Sequence, residues 1–224
     1  MKNRELFVLD PVENKLLNNG VAEINTDKTG DSGQKTIKYE LKTFVCEGEY
    51  EQGLHRILNT YIQNINEPMQ PAVWVSGFFG SGKSHMVKML GYLWEDFVFP
   101  GGDTARTIKR LPKLVNDDLV ELTKFQRKNG KVSIAGTLKD FPSNDIRYSF
   151  LQFFLKGLGL PSQFHHFKFI YWLKQEGIYD DLKNYIEAEG REFKKEYQNL
   201  FVSPYISKGI LKIRPSFAES EFKV

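Results

Sequence analysis

Residues 77–84 read Gly77-Phe78-Phe79-Gly80-Ser81-Gly82-Lys83-Ser84. This glycine-rich stretch has the spacing of a P-loop, in which small residues leave backbone N–H groups free to surround a phosphate. Lys83 supplies a compact positive charge for the β- and γ-phosphates, and Ser84 supplies a hydroxyl for magnesium. The stretch therefore predicts a site that binds ATP with Mg²⁺.

The sequence on either side of the loop fits this prediction. The short apolar run Ala72-Val73-Trp74-Val75-Ser76 precedes it, which favours a buried parallel strand. Residues 84–94 have the spacing of an amphipathic helix, whose positive end would point at the phosphates. The alternative is a glycine-rich strand-to-helix turn with an incidental lysine. The predicted nucleotide-binding residues are Gly77, Phe78, Phe79, Gly80, Ser81, Gly82, Lys83, Ser84 and His85, with Ser84 also the predicted metal ligand.

Composition places the chain among ordinary globular proteins. It has 224 residues, of which 41% are hydrophobic and 26% charged, enough for one sizeable core or for one domain and a helical annex. The net charge of +3 by itself says little about nucleic acid. The single cysteine, Cys46, excludes an internal disulfide and a cysteine-based zinc site. With no signal peptide and no apolar run of membrane-spanning length, we expect a cytoplasmic protein without membrane contact.

The N-terminal part of the sequence predicts a small β-hairpin. Residues 21–24 have the composition of a short strand, and the polar residues 25–35 that follow are typical of a loop. Ile37, Tyr39 and Leu41 then alternate with charged residues, the period of a half-buried strand.

The whole pattern predicts an α/β protein in three parts. A β-rich extension is expected at 1–46, a P-loop nucleotide-binding core at 47–142 and a helical region at 143–224. Within the core, residues 49–65 are expected to form a helix and residues 132–138 a second strand.

Hydrolysis requires more than a P-loop, because an acid at the end of another strand must organise magnesium. The candidate strand 132–138 ends in Lys139-Asp140 beyond a glycine and is a poor match. Residues 6–10 match, ending in Asp10, but they precede the P-loop. The sequence thus supports nucleotide binding better than turnover, assigns no catalytic residue, and leaves a rearranged strand order that uses Asp10 as an alternative.

Basic side chains cluster after the P-loop helix. Arg106, Lys109 and Arg110 are spaced for one helix face, and further lysines and arginines follow at 124–131. They would suit contacts with DNA phosphates, although a solvated surface is the commoner explanation. Arg106, Arg110 and Arg147 are each candidates for an arginine finger that reaches a neighbouring subunit.

Several runs resemble one known family. They are Phe44-Val45-Cys46-Glu47-Gly48-Glu49-Tyr50, residues 70–85 around the P-loop, and the shorter runs at 3–8, 16–21, 135–138 and 202–204. These resemble the large P-loop ATPase of bacteriophage-exclusion (BREX) systems, the BrxC/PglY family. The resemblance implies an AAA+-like ATPase that binds ATP and Mg²⁺ at 77–84 and acts against phage DNA. It also implies partners, namely a methyltransferase and a phosphatase-like component, with DNA and further copies of the chain as other candidates.

Members of that family are several times longer than this chain. The chain looks like their N-terminal part, so the acidic strand end would lie beyond Val224. The expected fold is then an incomplete AAA+-like P-loop core with a small β extension and a helical annex. Two alternatives remain: a partner-binding module that does not hydrolyse nucleotide, and a small P-loop NTPase with rearranged strands.

Overall fold

The computed structural model is helical. It describes residues 3–7, 10, 12, 16–18, 20, 22–24, 28–141, 144–200 and 202–216. Helices account for 60% of the described residues, which form no strand, only a single antiparallel bridge between Val98 and Thr104. The α-helices are α1 (Asp31–Thr43), α2 (Glu49–Gln63), α3 (Lys83–Glu95), α4 (Ala105–Ile108), α5 (Lys113–Asn129), α6 (Ile146–Gly157), α7 (Phe164–Gln175), α8 (Tyr179–Ala188), α9 (Phe193–Gln198) and α10 (Pro204–Ile213). The chain divides into two compact units, Met1–Thr137 and Leu138–Val224.

The prediction of an α/β fold with a β-rich extension is wrong. Ile37 and Leu41 lie in α1, together with the last part of the predicted loop 25–35. Residues four positions apart lie on the same face of a strand and also, one turn apart, on the same face of a helix. So short a pattern therefore fits both structures. Glu40 decides between them, because the strand prediction placed it in solvent and it is fully buried. Of the predicted strand 21–24, residue 21 lies outside the described residues and the rest form no strand.

The two strands predicted for the core are also absent from the described structure. Residues 71–78 and 131–137 have no regular secondary structure. A strand is stable only when a neighbour satisfies its N–H and C=O groups, and the structure pairs neither segment with one. Val73 and Trp74 are 54% and 90% exposed, so the apolar run before the loop is not a buried strand.

The helix predictions agree well with the structure. α3 begins at Lys83, one residue before the predicted start, and α2 covers most of the predicted 49–65. Residues 146–213 contain five helices, α6 to α10, as expected for the C-terminal region. Ser203 caps α10 by accepting a hydrogen bond from the Ile206 N–H at 3.4 Å, with proline at the first helical position.

The first unit is built on α1, α2, α3 and α5. α2 packs along α5, and His55 on α2 lies 2.7 Å from the Asp118 carboxylate on α5. The fully buried apolar side chains of this unit include Ile37, Leu41, Leu54, Leu58, Met89, Leu93, Val115 and Leu119. The helix that follows the P-loop, α3, contributes Met89 and Leu93 to this core.

A buried ion pair joins α1 to α3. Lys88 Nζ lies 2.5 Å from Glu40 Oε2, and the two side chains are 1% and 0% exposed. Asn18 donates a further hydrogen bond of 3.1 Å to the other oxygen of Glu40. A charge without water is costly unless it is paired, so each of these two side chains needs the other in place.

Arg106 ties the C-terminal end of α3 to α5. Its guanidinium donates to the carbonyl oxygens of Leu93 at 2.7 Å and Trp94 at 3.2 Å. On α5 it donates to the Leu119 carbonyl oxygen at 3.0 Å and to the Thr123 hydroxyl at 2.7 Å. The last carbonyls of a helix have no partner in the helical ladder. Arg106 donates to two of them, beside the Asp96 N–H at Leu93 and the Gln126 amide at Trp94. Burial lowers the pKa of Arg106.

Gly53 lies in the interior of α2, where glycine is about 1 kcal/mol less favourable than alanine. A Cβ atom built at Gly53 would have no atom of the described residues within 4 Å, apart from its chain neighbours and the nearby backbone of α2. Two other interior helix glycines differ: a Cβ at Gly91 would lie 2.9 Å from Ser133 Oγ, and one at Gly209 would lie 2.6 Å from a Leu182 methyl. Packing therefore accounts for Gly91 and Gly209 but not for Gly53.

The second unit has its own core, formed by α7 to α10. The buried residues of this core are Phe169, Ile170, Leu173, Ile178, Leu182, Ile186, Phe193, Ile206 and Ile210. His166 is also buried. The centroid of its ring lies 4.0 Å from the ring centroid of His165 and 5.9 Å from that of Tyr197. Burial, and then the charge of His165, lower the pKa of His166 below its ordinary 6.5, against a hydrogen bond with the Gln198 backbone.

We expect Lys88→Met to lower the free energy of unfolding by about 3–5 kcal/mol, because it leaves the Glu40 carboxylate buried without its counter-ion. The double change Glu40→Leu with Lys88→Met should recover most of that loss. Denaturant unfolding measures both, with Lys35→Met on the exposed side of α1 as control, expected within about 0.5 kcal/mol of the unchanged protein. A single-variant cost below about 1 kcal/mol would contradict the role given to the pair.

Stability should fall as the pH drops through the His166 titration. In the unfolded chain the His166 ring takes up a proton near pH 6.5, whereas in the folded chain it does so only at lower pH. As the pH falls below 6.5, protonation therefore stabilises the unfolded state relative to the folded state. When the pH is lowered from about 7.5 to about 5.5, the free energy of unfolding should fall less in His166→Gln than in the unchanged chain. Equal losses in chemical denaturation at the two pH values would show that His166 does not contribute.

Candidate nucleotide-binding site

The loop at 77–84 is shaped by its glycines. Gly80 and Gly82 have φ of 79° and 81°, a left-handed conformation that side chains disfavour, and Gly82 is the N-cap of α3. A Cβ at Gly82 would also lie only 2.8 Å from the Tyr50 hydroxyl. Glycine at 82 is thus required by both the backbone and a close neighbour, and the first N–H groups of α3 face the loop without intrahelical partners.

The ammonium of Lys83 is folded back over the loop. Its Nζ donates to the carbonyl oxygen of Phe78 at 2.7 Å and lies 3.5 Å from Ser81 Oγ. A phosphate oxygen carries negative charge and is a stronger acceptor than a neutral carbonyl. The ammonium is therefore held at the loop by a neutral carbonyl oxygen, which a phosphate oxygen can replace as its acceptor.

Tyr50 connects the loop to α2. Its hydroxyl donates a hydrogen bond to the carbonyl oxygen of Ser81, and Tyr50 itself lies in the first turn of α2. Tyr50 was not among the residues predicted at the site. The available signal was its place in the run 44–50, which carries part of the family resemblance.

A cleft of about 520 Å³ lies beside the loop, a volume typical of small-molecule sites. One wall is a face of α2 and the other is the segment before and at the start of the loop. The lining residues are Glu49, Tyr50, Gly53, Arg56, Ile57, Val73, Trp74, Val75, Ser76, Gly77, Phe78, Ser81, Lys83 and Met86. The cleft is mainly apolar, with Lys83 and the loop backbone along part of its lining.

The structure distributes the predicted site residues unevenly. Gly77, Phe78, Ser81 and Lys83 line the cleft, and Gly80 and Gly82 belong to the same loop. Phe79 is fully exposed and is not among the cleft-lining residues, while Ser84 lies exposed in the first turn of α3. As contacts of a nucleotide, all of these residues stay predictions.

His85 was also predicted at the nucleotide, but its ring packs on α1. The ring lies 5.4 Å from that of Phe44, edge to face. Burial lowers the pKa of His85, opposed by the charge of Glu40. Its Nε2 is buried and has no hydrogen-bond partner within the part of the chain that the structure describes. His85 therefore contributes to the contact between α1 and α3, and its place at the nucleotide stays a prediction.

The residues present fit a magnesium ion that is held mainly by phosphates. Among the described residues, no group of three or more histidine, cysteine, aspartate or glutamate side chains could hold a metal. Magnesium at nucleotide sites keeps several waters and takes few protein ligands beside the substrate phosphates. The exposed hydroxyl of Ser84, at the start of α3, is suited to be such a ligand.

The other sequence candidates are not among the cleft-lining residues. Arg106 is used at the end of α3 and is unsuited to be an arginine finger, and Lys131 donates to the carbonyl oxygen of Glu95 at the same helix end. The basic face proposed for DNA therefore includes two side chains that bind α3. Asp10, the alternative acid, lies 3.7 Å from Arg4 and accepts a hydrogen bond from its own turn. Residues 8 and 9 of that candidate strand lie outside the described residues.

None of the described helices is both long and apolar enough to cross a bilayer.

Comparison with known proteins supports the assignment of residues 77–84 as a P-loop. No solved structure matches the chain. A family model described as the KAP family P-loop domain matches residues 55–224, which include the P-loop and most of the chain. A domain of this kind implies nucleotide binding of the ATPase type, usually with Mg²⁺. From the loop, the cleft and this match, we conclude that the chain belongs to the KAP family of P-loop NTPase domains.

Proposed function

We propose that this chain binds ATP, with Mg²⁺, at the loop 77–84. The observation that carries the proposal is the position of Lys83, whose ammonium lies over the loop and lines a cleft large enough for a nucleotide. The family shown for the chain supports nucleotide binding in general, and the choice of ATP follows the P-loop pattern and the sequence resemblance.

Each part of the loop has a separate role in this proposal. The N–H groups freed by Gly80 and Gly82 surround the phosphates, and α3 adds the positive end of its dipole. Lys83 leaves the Phe78 carbonyl and contacts the β- and γ-phosphates. Ser84 binds the magnesium ion, which neutralises phosphate charge.

We further propose that the chain acts in a BREX phage-defence system. The support is the resemblance in residues 44–50 and 70–85, which is more specific than the P-loop alone. In that role its partners are a methyltransferase and a phosphatase-like component, with DNA and a second copy of the chain as further candidates.

Lys83→Ala should weaken Mg²⁺-ATP binding at least about tenfold, which is about 1.4 kcal/mol, because it removes the cation that contacts the β- and γ-phosphates. Isothermal titration calorimetry measures the affinity. Lys128→Ala is a matched control, since Lys128 is exposed on α5 and does not line the cleft. An unchanged affinity in Lys83→Ala would remove the basis for a phosphate site at this loop.

The BREX role predicts that the tagged chain retains the methyltransferase and the phosphatase-like component when all three are produced in one cell. Affinity purification followed by mass spectrometry is the measurement, and an unrelated P-loop domain with the same tag is the control. Loss of both partners from a chain that is folded and still binds ATP would contradict this role while leaving nucleotide binding intact.

A further inference from the structure

We infer that Gly53 keeps open the part of the cleft that receives the nucleoside, that is the base and ribose of the bound nucleotide. The inference rests on the proposed function, since it takes the phosphates to lie at the loop. It assigns to α2 a binding surface for which the loop motif gives no indication.

Gly53 occupies the middle of the α2 face that lines the cleft. The lining residues of α2 are Glu49, Tyr50, Gly53, Arg56 and Ile57, spaced three, four or one apart, which places them on one side of the helix. A side chain at the central position would project from that face between its neighbours. Glycine there leaves an open surface across two helical turns.

The packing of the protein does not explain this glycine. Outside the local backbone of α2, a Cβ at Gly53 meets no atom within 4 Å in the part of the chain that the structure describes, whereas the same atom at Gly91 or Gly209 collides with a neighbour. α2 therefore carries a residue that weakens a helix without any close contact that requires it. The space that Gly53 leaves open belongs to the cleft, so the cleft's occupant is the natural reason for a glycine here.

The chemistry of the cleft suits a nucleoside. Ile57, Val73, Trp74, Val75 and Met86 give it apolar and aromatic walls, on which the flat face of a heterocyclic base can lie. Glu49 and Arg56 stand one helical turn before and after Gly53 and offer polar groups to the base edge or the ribose hydroxyls.

The direction of the ligand follows from Lys83 and Tyr50. Lys83 fixes the phosphate end at the loop, and Tyr50 joins that loop to the first turn of α2. A nucleotide with its phosphates at Lys83 can lay its nucleoside along α2 within the cleft. Gly53, one helical turn beyond Tyr50, then lies beneath the nucleoside and not beneath the phosphates.

The test compares two ligands, Mg²⁺-ATP and Mg²⁺-tripolyphosphate, by calorimetry on the full chain. Gly53→Leu should weaken ATP binding at least about tenfold and leave tripolyphosphate binding within about twofold, because only ATP has a nucleoside. Gly53→Ala should give a smaller loss of ATP affinity. Gln52→Leu, an exposed position next to Gly53 that does not line the cleft, controls for adding leucine to α2.

The outcomes separate this inference from the proposed function. Unchanged ATP affinity in Gly53→Leu would overturn the inference and leave nucleotide binding at the loop standing. Equal losses of ATP and tripolyphosphate would also overturn it, since the variant would then have disturbed the loop itself. Failure of the unchanged chain to bind either ligand would instead refute the proposed function.

Discussion

The pairing of Glu40 with Lys88 is the constraint on which the first unit depends. Both charges lie out of water, so α1 and α3 are stable in one relative position, the one that brings the two side chains together. Lys88 follows Lys83 by five residues, or about 7.5 Å along the helix axis. Fixing Lys88 against α1 therefore also fixes the first turn of α3, from which the P-loop lysine and serine extend. A polar contact inside the core in this way determines the geometry of a site at its surface.

The sequence predicted the helices well and the strands wrongly, for a physical reason. A helix satisfies its backbone within one segment, so local patterns such as Ser203 followed by proline are sufficient evidence for it. A strand depends on a partner that the segment itself does not contain. The alternation at Ile37 and Leu41 fits either structure, and only the burial of Glu40 in the folded chain distinguishes them. The apolar run 72–76 had the composition of a strand, but the described residues give it no paired neighbour.

The loop could be predicted because its residues are contiguous, whereas the cleft beside it could not. Tyr50 and Gly53 reach the site only through the packing of α2, about thirty positions earlier in the chain. A glycine inside an amphipathic helix was the one local sign of an unusual position. Arg106 shows the opposite error: it resembled an available cation in the sequence, yet four acceptors on α3 and α5 bind it. Whether a basic side chain is free at the surface or hydrogen-bonded within the protein depends on tertiary structure, which a local sequence pattern does not contain.

Arg106 also has a mechanical consequence. α3 is a stiff rod of 13 residues, about 20 Å long, with the loop at one end and this guanidinium at the other. Because Arg106 holds carbonyls of α3 and α5 together, an axial displacement of α3 at the loop must either carry α5 with it or break several hydrogen bonds. The end of α3 opposite the loop is thus coupled to α5, and a shift of the loop end along the axis of α3 is transmitted to a helix that does not touch the loop motif itself.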